Sequence, residues 1–518
     1  MNFQAVNDMQ LGLLVVFLAG LLAGPRLRGL SGLLRWRDPA LAVLAAASLF
    51  AYLNAFEMHG ALGASHPFEF YHYYVGAAYF PELGYTGLYE ASVIADLEDD
   101  PEHFDPRARV LNQRTYEYER RGQVRMRADE IKARFTPERW IDFKRDIAYF
   151  RSRAPQVWRS SRLQRDHGYN GTPVTTALLG GLARLVPAVP VGSFISAAAW
   201  LDPLIVLGAG AWIARMAGLT AGLLFVFLWA VNPFNAYGYT GGAYLRHLWL
   251  VAFALSIVCL SKGRAAISGA LAALAAGLAL FPALPVAALA ARDLLRPDRV
   301  ARLRERAPFW AALVGTGLAL LLSTSLLSDP GPDSPWLAFR ESIGVHAGAL
   351  SPNHVGLASV FAFSPSHDLR AIEKRGPEGR VRDWRAESLD TLDSRSLAYR
   401  AVQLCFLVGI VLFLRGATPV GAWFAGLAAI YAFVPLSHYY WAVLCTAPLC
   451  FGFDRRSLVL LAGFWLGVTL LRQVDALDDV LDRLMFAVSA LAGVYFAVAL
   501  GDGILRARSA ATSGGPAR

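Results

Sequence analysis

A glutamate surrounded by aromatic rings is the first feature of this sequence that suggests chemistry. The stretch HPFEFYHYYVGAAYFPELGYTGLYEA, residues 66–91, places Glu69 among rings, with Tyr71, His72 and Tyr89 nearby. A carboxylate partly shielded from water by rings is suited to accept a proton. Flat aromatic faces also stack on sugars, while tyrosine and histidine side chains bond sugar hydroxyls. The tyrosines taken alone are equally typical of the aromatic belt at a membrane surface.

Other polar side chains recur at the ends of apolar runs. Taken singly, Asn353 has a simpler interpretation as a helix cap, Arg246 as a side chain reaching the interface, and His438 as part of an aromatic belt. A polar group at such a position is unfavourable unless it lines a cavity, so the repetition predicts one polar cavity that opens outward. The stretches carry Asn170 in HGYNGTP, Arg246 and His247 in YLRHLWL, Asn353 and His354 in SPNHVGL, and His438 and Tyr439 in PLSHYYW.

The composition requires membrane-spanning elements to position these groups. Hydrophobic residues make up 55% of the 518 residues and charged residues only 17%, with a mean hydropathy of +0.39. These values are typical of an all-α polytopic membrane protein, and the apolar runs predict about 11–13 transmembrane or re-entrant helices. The net charge of +9 lies mostly in short connectors between these runs. It therefore predicts cytoplasmic loops and no nucleic-acid partner.

The order of polar and apolar segments predicts six parts. The number of segments does not close with every basic connector in the cytoplasm, so at least two apolar runs are expected to be re-entrant, near PAVPVG with the Asp202–Pro203 step and near FPALP. The parts are N-terminal transmembrane helices at 1–57, a first extracytoplasmic loop at 58–171, a transmembrane core at 172–328, a second extracytoplasmic loop at 329–397, C-terminal transmembrane helices at 398–501 and a cytoplasmic tail at 502–518.

Two interpretations of the first loop remain open. Its charged, helix-prone sequence from 108 to 150 carries aromatic residues several positions apart. The spacing is consistent with amphipathic helices lying on the outer membrane surface, and equally with a small lobe that uses the rings as its core.

Five motifs in this order resemble the GT-C glycosyltransferases, and among them the polyprenyl-phosphate-sugar-dependent enzymes of glycosyltransferase family 87, which include phosphatidylinositol mannoside mannosyltransferases. The sequence departs from the family pattern in having Glu69 where Asp is usual, Ala279 where many members have Lys, and Tyr440 for the second histidine of the late motif. The motifs are FEFYHYYVGAAYFPELGYTGLYEA with Glu69 at the acid and Leu88-Tyr89 at the pair, YNGTP at 169–173, LSKGRAAISGALAALAAGLALFPAL, Asn353 to Leu357, and SHYYW at 437–441.

The resemblance implies a GT-C-type bundle and an inverting glycosyltransferase with Glu69 as its catalytic base. The enzyme would move a mannose-like sugar or a pentose from a polyprenyl-phosphate donor to a lipid or glycan acceptor, on the extracytoplasmic side of a bacterial plasma (inner) membrane. Arg246 and His247 are expected to hold the donor phosphate, because a guanidinium binds phosphate with two hydrogen bonds. No metal and no cofactor is expected. The remaining candidates for substrate binding are Tyr71, His72, Tyr89, Asn170, Asn353, His354, His438 and Tyr439.

A transporter or flippase of an amphiphilic, lipid-linked substrate is the alternative from another functional class. Such a protein also needs a polar cavity and broken helices, and it is expected to place charges near the middle of the bilayer and polar groups on both faces. In this sequence histidines and carboxylates are concentrated on the side that the basic connectors assign to the exterior.

Overall fold

The chain folds as a helical membrane protein. The computed structural model describes residues 3–23, 36–185, 190–327, 334–347, 350–374 and 380–512; most of the basic connector after the first helix, the first three residues of PAVPVG and the end of the tail lie outside them. Among the described residues, five helices are long and apolar enough to cross a membrane, and four shorter apolar helices accompany them. The helices of the bundle are Phe3–Ala23, Arg37–Tyr52, Pro173–Leu185, Val191–Ala198, Leu201–Ala217, Leu219–Ala230, Leu248–Ser261, Ala265–Leu278, Ala283–Leu294, Ala307–Leu327, Ser396–Gly416, Gly421–Phe433, Arg455–Leu471 and Leu481–Thr512.

The basic connectors meet at one end of the bundle. Arg455 Nε donates to the carbonyl of Leu21 at 2.6 Å, and Arg37 Nη2 donates to Thr220 Oγ1 at 2.7 Å. We call this the basic end. A cavity of about 740 Å³ lies there, and its lining includes Lys262, Thr418, Asp454 and Arg506.

The first apolar hairpin enters and leaves at the basic end. It consists of the helices Ala265–Leu278 and Ala283–Leu294, and the second helix returns far enough for Arg292 Nε to donate to the carbonyl of Ala417 at 2.8 Å. Pro282 has no N–H to offer the carbonyl of Leu278, four residues earlier. The hydroxyl of Thr175 donates to that carbonyl at 3.0 Å instead. The helix break that the sequence predicts at FPALP is thus a hairpin tip whose free carbonyl is covered by a neighbouring hydroxyl.

A second hairpin packs beside the first. Its ascending arm is the helix Gly421–Phe433, and its descending arm is the 3-10 helix His438–Thr446 followed by Ala447–Cys450. A Cβ on Gly426 would lie 2.2 Å from Pro285 Cα, so only glycine allows this approach. Each hairpin starts and ends at the basic end. The basic connectors before and after a hairpin therefore lie at the same end of the bundle.

The extramembranous segments contribute the remaining elements. The strands Arg109–Asn112 and Glu117–Arg120 form an antiparallel hairpin, and His354–Val355 pairs antiparallel with Leu436–Ser437. The short helices of the first loop are Gly60–Leu62, Pro67–Phe70, Tyr71–Val75, Gly76–Ala78, Phe80–Leu83, Leu88–Asp99, Pro101–His103, Arg121–Arg125, Ala128–Lys132, Pro137–Arg153, Pro155–Arg159 and Leu163–Arg165. Elsewhere they are Tyr237–Thr240, Arg299–Glu305, Pro335–Ala347, Leu357–Ala362, Pro365–His367, Leu369–Glu373, Arg380–Ser394 and Asp475–Asp478.

The first loop is a compact lobe. Its aromatic residues Trp140, Phe143 and Phe150 are buried together with Trp158 in a core of the lobe's own. The indole Nε1 of Trp158 donates to the buried carboxylate of Asp96 at 2.8 Å. These rings pack against one another, which is the arrangement that the interpretation as a small lobe expects. Of the two interpretations that the sequence left open, the structure agrees with the small lobe that uses the rings as its core.

Candidate functional site

Glu69 lies on a short helix that its own neighbours hold in place. His66 caps the helix Pro67–Phe70, since its ring Nδ1 accepts the backbone N–H of Glu69 at 3.3 Å. An acceptor ring nitrogen requires a neutral imidazole. Burial, together with the charges of His59 and Arg246, lowers the pKa of His66 to about 3 and keeps it neutral. The chain continues into a π-helical turn at Tyr71–Val75, a distortion that is common at functional sites.

Arg246 approaches Glu69 from a strained turn. Leu245 adopts a left-handed conformation with φ 53°, which costs about 1–3 kcal/mol for a residue other than glycine. The turn is fixed to the first loop, because the backbone N–H of His66 donates to the carbonyl of Gly242 at 3.1 Å. At its end the guanidinium of Arg246 forms an ion pair and a hydrogen bond with the carboxylate of Glu69.

Three tyrosine rings surround the guanidinium of Arg246. Its Cζ lies 4.2 Å from the ring centroid of Tyr439, 5.2 Å from that of Tyr440 and 5.8 Å from that of Tyr73. The side chain is only 8% exposed, and its Nη2 is buried without a hydrogen-bond partner among the described residues. The guanidinium therefore keeps one donor for a ligand while it holds Glu69.

The Glu69–Arg246 pair forms the polar end of a cavity of about 680 Å³. The tips of both hairpins line the cavity through Phe281 and Pro435, and its wall is mostly apolar. Such a cavity suits an amphiphile with a charged head and a hydrocarbon chain. Its polar lining includes Glu69, Tyr73, Asn170, Arg246, His354, Ser437 and Tyr440, and its apolar lining includes Leu178, Leu179, Leu280, Phe281, Phe339 and Ile343.

Four of the residues expected at the site line this cavity: Glu69, Asn170, Arg246 and His354. The Asn170 amide oxygen accepts the hydroxyl of Tyr73 at 2.6 Å. Burial lowers the pKa of His354 to about 3, with a contribution from the charges of His167 and Arg385. His354 is thus a neutral imidazole, suited to bond a hydroxyl group.

Tyr73 and Tyr440 line the cavity but were not among the expected residues. Tyr73 follows Glu69 by four positions, and residues four apart share one face of a helix. That spacing was a usable signal. Tyr71, two positions after Glu69, belongs to the opposite face.

Tyr71, His72 and Tyr89 do not line the cavity. They lie in the core of the first-loop lobe, where the Tyr71 hydroxyl bonds Ser92 Oγ at 3.0 Å. His72 Nε2 bonds the Tyr89 hydroxyl at 2.8 Å, and His72 Nδ1 bonds the carbonyl of Phe68 at 2.8 Å. Their polar atoms are used to hold the lobe together, so the structure does not bring these three residues to the cavity with Glu69 and Arg246.

His247 also points away from the cavity. Its ring Nδ1 lies 2.8 Å from a carboxylate oxygen of Asp202, and its Nε2 lies 2.9 Å from the amide oxygen of Asn235. Both ring nitrogens are occupied within the bundle, so the structure does not place the His247 ring beside Arg246 at the cavity.

Asn353, His438 and Tyr439 lie next to the cavity rather than in its lining. The backbone N–H of His438 donates to the carbonyl of Asn353 at 2.8 Å, extending the pairing of the two short strands. Tyr439 is the nearest of the three rings around Arg246. In the late SHYYW stretch, Ser437 and Tyr440 thus line the cavity, and Tyr439 stacks on Arg246.

In the part of the chain that the structure describes, no three or more histidine, cysteine, aspartate or glutamate side chains are grouped so that they could hold a metal ion. Comparison with protein-family models, curated proteins and solved structures gave no match. The fold and the cavity by themselves define a helical membrane protein with an acid–guanidinium pair at the polar end of an apolar cavity.

Proposed function

We propose that this chain is an integral membrane glycosyltransferase that takes its sugar from a polyprenyl-phosphate donor. The observation that supports the proposal best is the position of Glu69 and Arg246, which face one another where the apolar cavity becomes polar. A lipid-linked sugar phosphate has the same order of parts: a hydrocarbon chain, a charged phosphate and a polar sugar. The cavity supplies an apolar wall, a guanidinium and hydroxyl-binding groups in that order.

In the proposed reaction Glu69 takes the proton from an acceptor hydroxyl while that oxygen attacks the anomeric carbon. The bond from this carbon to the phosphate oxygen breaks, and polyprenyl phosphate leaves with the electron pair. Attack from the face opposite the phosphate inverts the anomeric centre. Arg246 stabilises the charge that grows on the phosphate, which needs no proton to leave. A metal is not required for these steps.

The ion pair of the ligand-free protein is compatible with both roles. Nη2 of Arg246 has no partner among the described residues, so a phosphate oxygen can bind there before Glu69 is released. A second phosphate contact then competes with Glu69 for the guanidinium, and the carboxylate becomes available as a base once the donor is bound. In the proposed order of events, phosphate binding thus frees the Glu69 carboxylate to act as the base.

The proposed acceptor is a lipid or glycan, and the proposed sugar is a mannose-like hexose or a pentose. Asn170 and His354 are the proposed partners of the sugar and acceptor hydroxyls, since both line the polar part of the cavity. The proposed location is the extracytoplasmic side of a bacterial inner membrane, and the position of the basic end opposite the cavity supports this orientation through the positive-inside rule.

The decisive test is transfer by purified protein supplied with short-chain polyprenyl-phosphate sugars and a membrane extract as acceptor. Glu69→Gln keeps the size of the side chain and removes its ability to take a proton, so transfer should fall by about 10²- to 10⁴-fold while donor binding stays near wild type. Glu82→Gln is the matched control, because Glu82 also pairs with an arginine, Arg139, but does not line the cavity. Undiminished transfer by Glu69→Gln would remove Glu69 from the proposed role.

A transporter or flippase of a lipid-linked substrate is the second candidate, and one observation favours it. Asp202 and His247 form a fully buried pair at the start of the helix Leu201–Ala217, and buried ionisable pairs within membrane segments are common in transporters. A transporter would move the labelled lipid across proteoliposomes without forming a new glycosidic bond. Flux without any transfer, across all donors tried, would favour this candidate.

A further inference from the structure

Arg472 is a buried cation that the proposed reaction does not use. It follows directly on the helix Arg455–Leu471 and is 4% exposed. Its Nε and Nη1 have no hydrogen-bond partner among the described residues, and no ion pair to a described carboxylate accompanies it. The guanidinium lies 5.3 Å from the ring centroid of Tyr239.

Two further buried polar groups adjoin Arg472. His438 is 6% exposed, and neither of its ring nitrogens has a partner in the described part of the chain. Its ring centroid lies 4.7 Å from that of Tyr239, on which Arg472 also stacks. Asn353, tied to His438 by the backbone hydrogen bond described above, has a buried amide oxygen that likewise has no partner among those residues. Two unsatisfied groups, Arg472 and His438, thus meet at the ring of Tyr239, and a third, the Asn353 amide oxygen, belongs to the residue paired with His438.

Other buried arginines of this protein are paired with acids. Arg121 pairs with Asp96 in the first-loop lobe, and Arg306 pairs with Asp293 at 3.0 Å in the bundle. A buried charge without a partner is strongly unfavourable. The exception at Arg472, beside two further groups able to bond a ligand, therefore points to an anion that completes the site.

We propose that Arg472, His438 and Asn353 form a second anion-binding subsite, beside the Glu69–Arg246 cavity, that takes a phosphate ester. Arg472 bonds the phosphate oxygens, His438 donates one ring N–H to them, and the Asn353 amide oxygen accepts a hydroxyl of the group that carries the phosphate. The two sites are adjacent, because Tyr439 stacks on Arg246 and its ring centroid lies 5.3 Å from that of His438.

The phosphate has two chemical sources within the proposed function, on which this part of the inference rests. It is either a second phosphate of the donor or a phosphate on an acceptor phospholipid. Equilibrium binding to the purified full-length protein in detergent distinguishes them, and it does so whether or not the protein transfers a sugar. The donor arm compares farnesyl diphosphate with farnesyl monophosphate, and the acceptor arm compares dihexanoyl phosphatidic acid with dihexanoylglycerol.

Arg472→Gln should weaken the binding of either farnesyl diphosphate or dihexanoyl phosphatidic acid by about tenfold or more, which is the effect of losing a charged hydrogen bond. Binding of its matched partner, farnesyl monophosphate or dihexanoylglycerol, should stay unchanged. Loss in the donor arm assigns the subsite to a diphosphate donor, and loss in the acceptor arm assigns it to a phospholipid acceptor. Arg400→Gln, at an exposed arginine of the helix Ser396–Gly416, should change neither. Equal binding of all four probes by wild type and Arg472→Gln would overturn the proposal.

A second measurement separates a ligand site from a structural role. If Arg472 is held for a ligand, Arg472→Met removes an unsatisfied buried charge and should raise the thermal unfolding midpoint of the ligand-free protein. Phosphatidic acid or farnesyl diphosphate, whichever binds, should raise the unfolding midpoint of wild type by more than that of Arg472→Met, because only wild type retains the Arg472 contact. A lowered midpoint for Arg472→Met, with unchanged ligand stabilisation, would show that Arg472 only supports the fold.

Discussion

At the scale of single residues, Arg246 joins most of the features of the candidate site. It pairs with Glu69, stacks on Tyr439 and retains an unpartnered Nη2. A lysine at this position would keep the charge but would lose the planar group that stacks and bonds on two sides at once. The geometry therefore assigns Arg246 to holding the acid and the ligand together.

Replacement of Arg246 should affect donor binding and turnover together. Its contact exists with the bound donor and strengthens as charge grows on the leaving phosphate. Arg246→Ala should lower kcat/KM by about 10- to 100-fold, and Arg246→Lys should recover only part of the loss. Steady-state transfer kinetics with varied donor provide the measurement. An unchanged KM for the donor in Arg246→Ala would contradict the assignment.

His66 is expected to make stability depend on pH. Its pKa is lowered to about 3 in the folded protein, against an ordinary value of about 6.5 in an unfolded chain. A lowered folded-state pKa means that its stabilisation is complete above pH 6.5 and is lost as pH falls from 6.5 towards 3.

The comparison that isolates this effect is His66→Asn, which keeps an oxygen to cap the Glu69 helix but cannot titrate. Thermal unfolding midpoints from pH 8 to pH 4 should fall less steeply for His66→Asn than for wild type. Parallel curves for the two proteins would show that His66 does not titrate on unfolding.

At the scale of secondary-structure elements, the tips of the two apolar hairpins form part of the cavity wall. Each enters from the basic end and reverses at a proline-containing tip, and both tips line the cavity. Their backbones meet at Gly426 and Pro285, where there is no room for a Cβ. The position of the cavity lining therefore depends on one close contact between the ascending arm of one hairpin and the descending arm of the other.

Gly426→Ala should separate the hairpins and destabilise the protein by about 1–3 kcal/mol, as overpacking does. Gly463→Ala is the matched control, because Gly463 is an exposed residue of the helix Arg455–Leu471 and no atom lies within 4 Å of an added Cβ. That change should be neutral or slightly stabilising. Chemical denaturation in detergent measures both, and equal effects would show that the hairpin contact can relax freely.

At the scale of the whole molecule, the protein has two chemically different ends. Basic connectors gather at one end, whereas the other carries the first-loop lobe and the acid–guanidinium cavity. This asymmetry predicts the direction of insertion, because arginine and lysine in short loops remain in the cytoplasm.

Thiol labelling of intact cells tests this orientation. In a Cys405→Ser background, which removes the exposed native cysteine, Tyr118→Cys lies on the lobe and Arg264→Cys lies at the basic end, both at exposed positions. A membrane-impermeant reagent should label Tyr118→Cys in intact cells and Arg264→Cys only after permeabilisation. Labelling of both from the same side, or in the reverse pattern, would contradict the proposed topology.

The sequence by itself determined the helical membrane character and the break at FPALP, and it predicted that Glu69 and Arg246 share one cavity. These follow from composition, from apolar run length and from the rarity of charges beside such runs. Only the tertiary structure decided which neighbouring polar residues join them. The side chains of Tyr71, His72, Tyr89 and His247 bond other buried groups within the fold, whereas Tyr73 and Tyr440 line the cavity. Residue type shows that a side chain is able to bond a ligand, but the packing of distant segments decides whether its polar atoms have already found a partner.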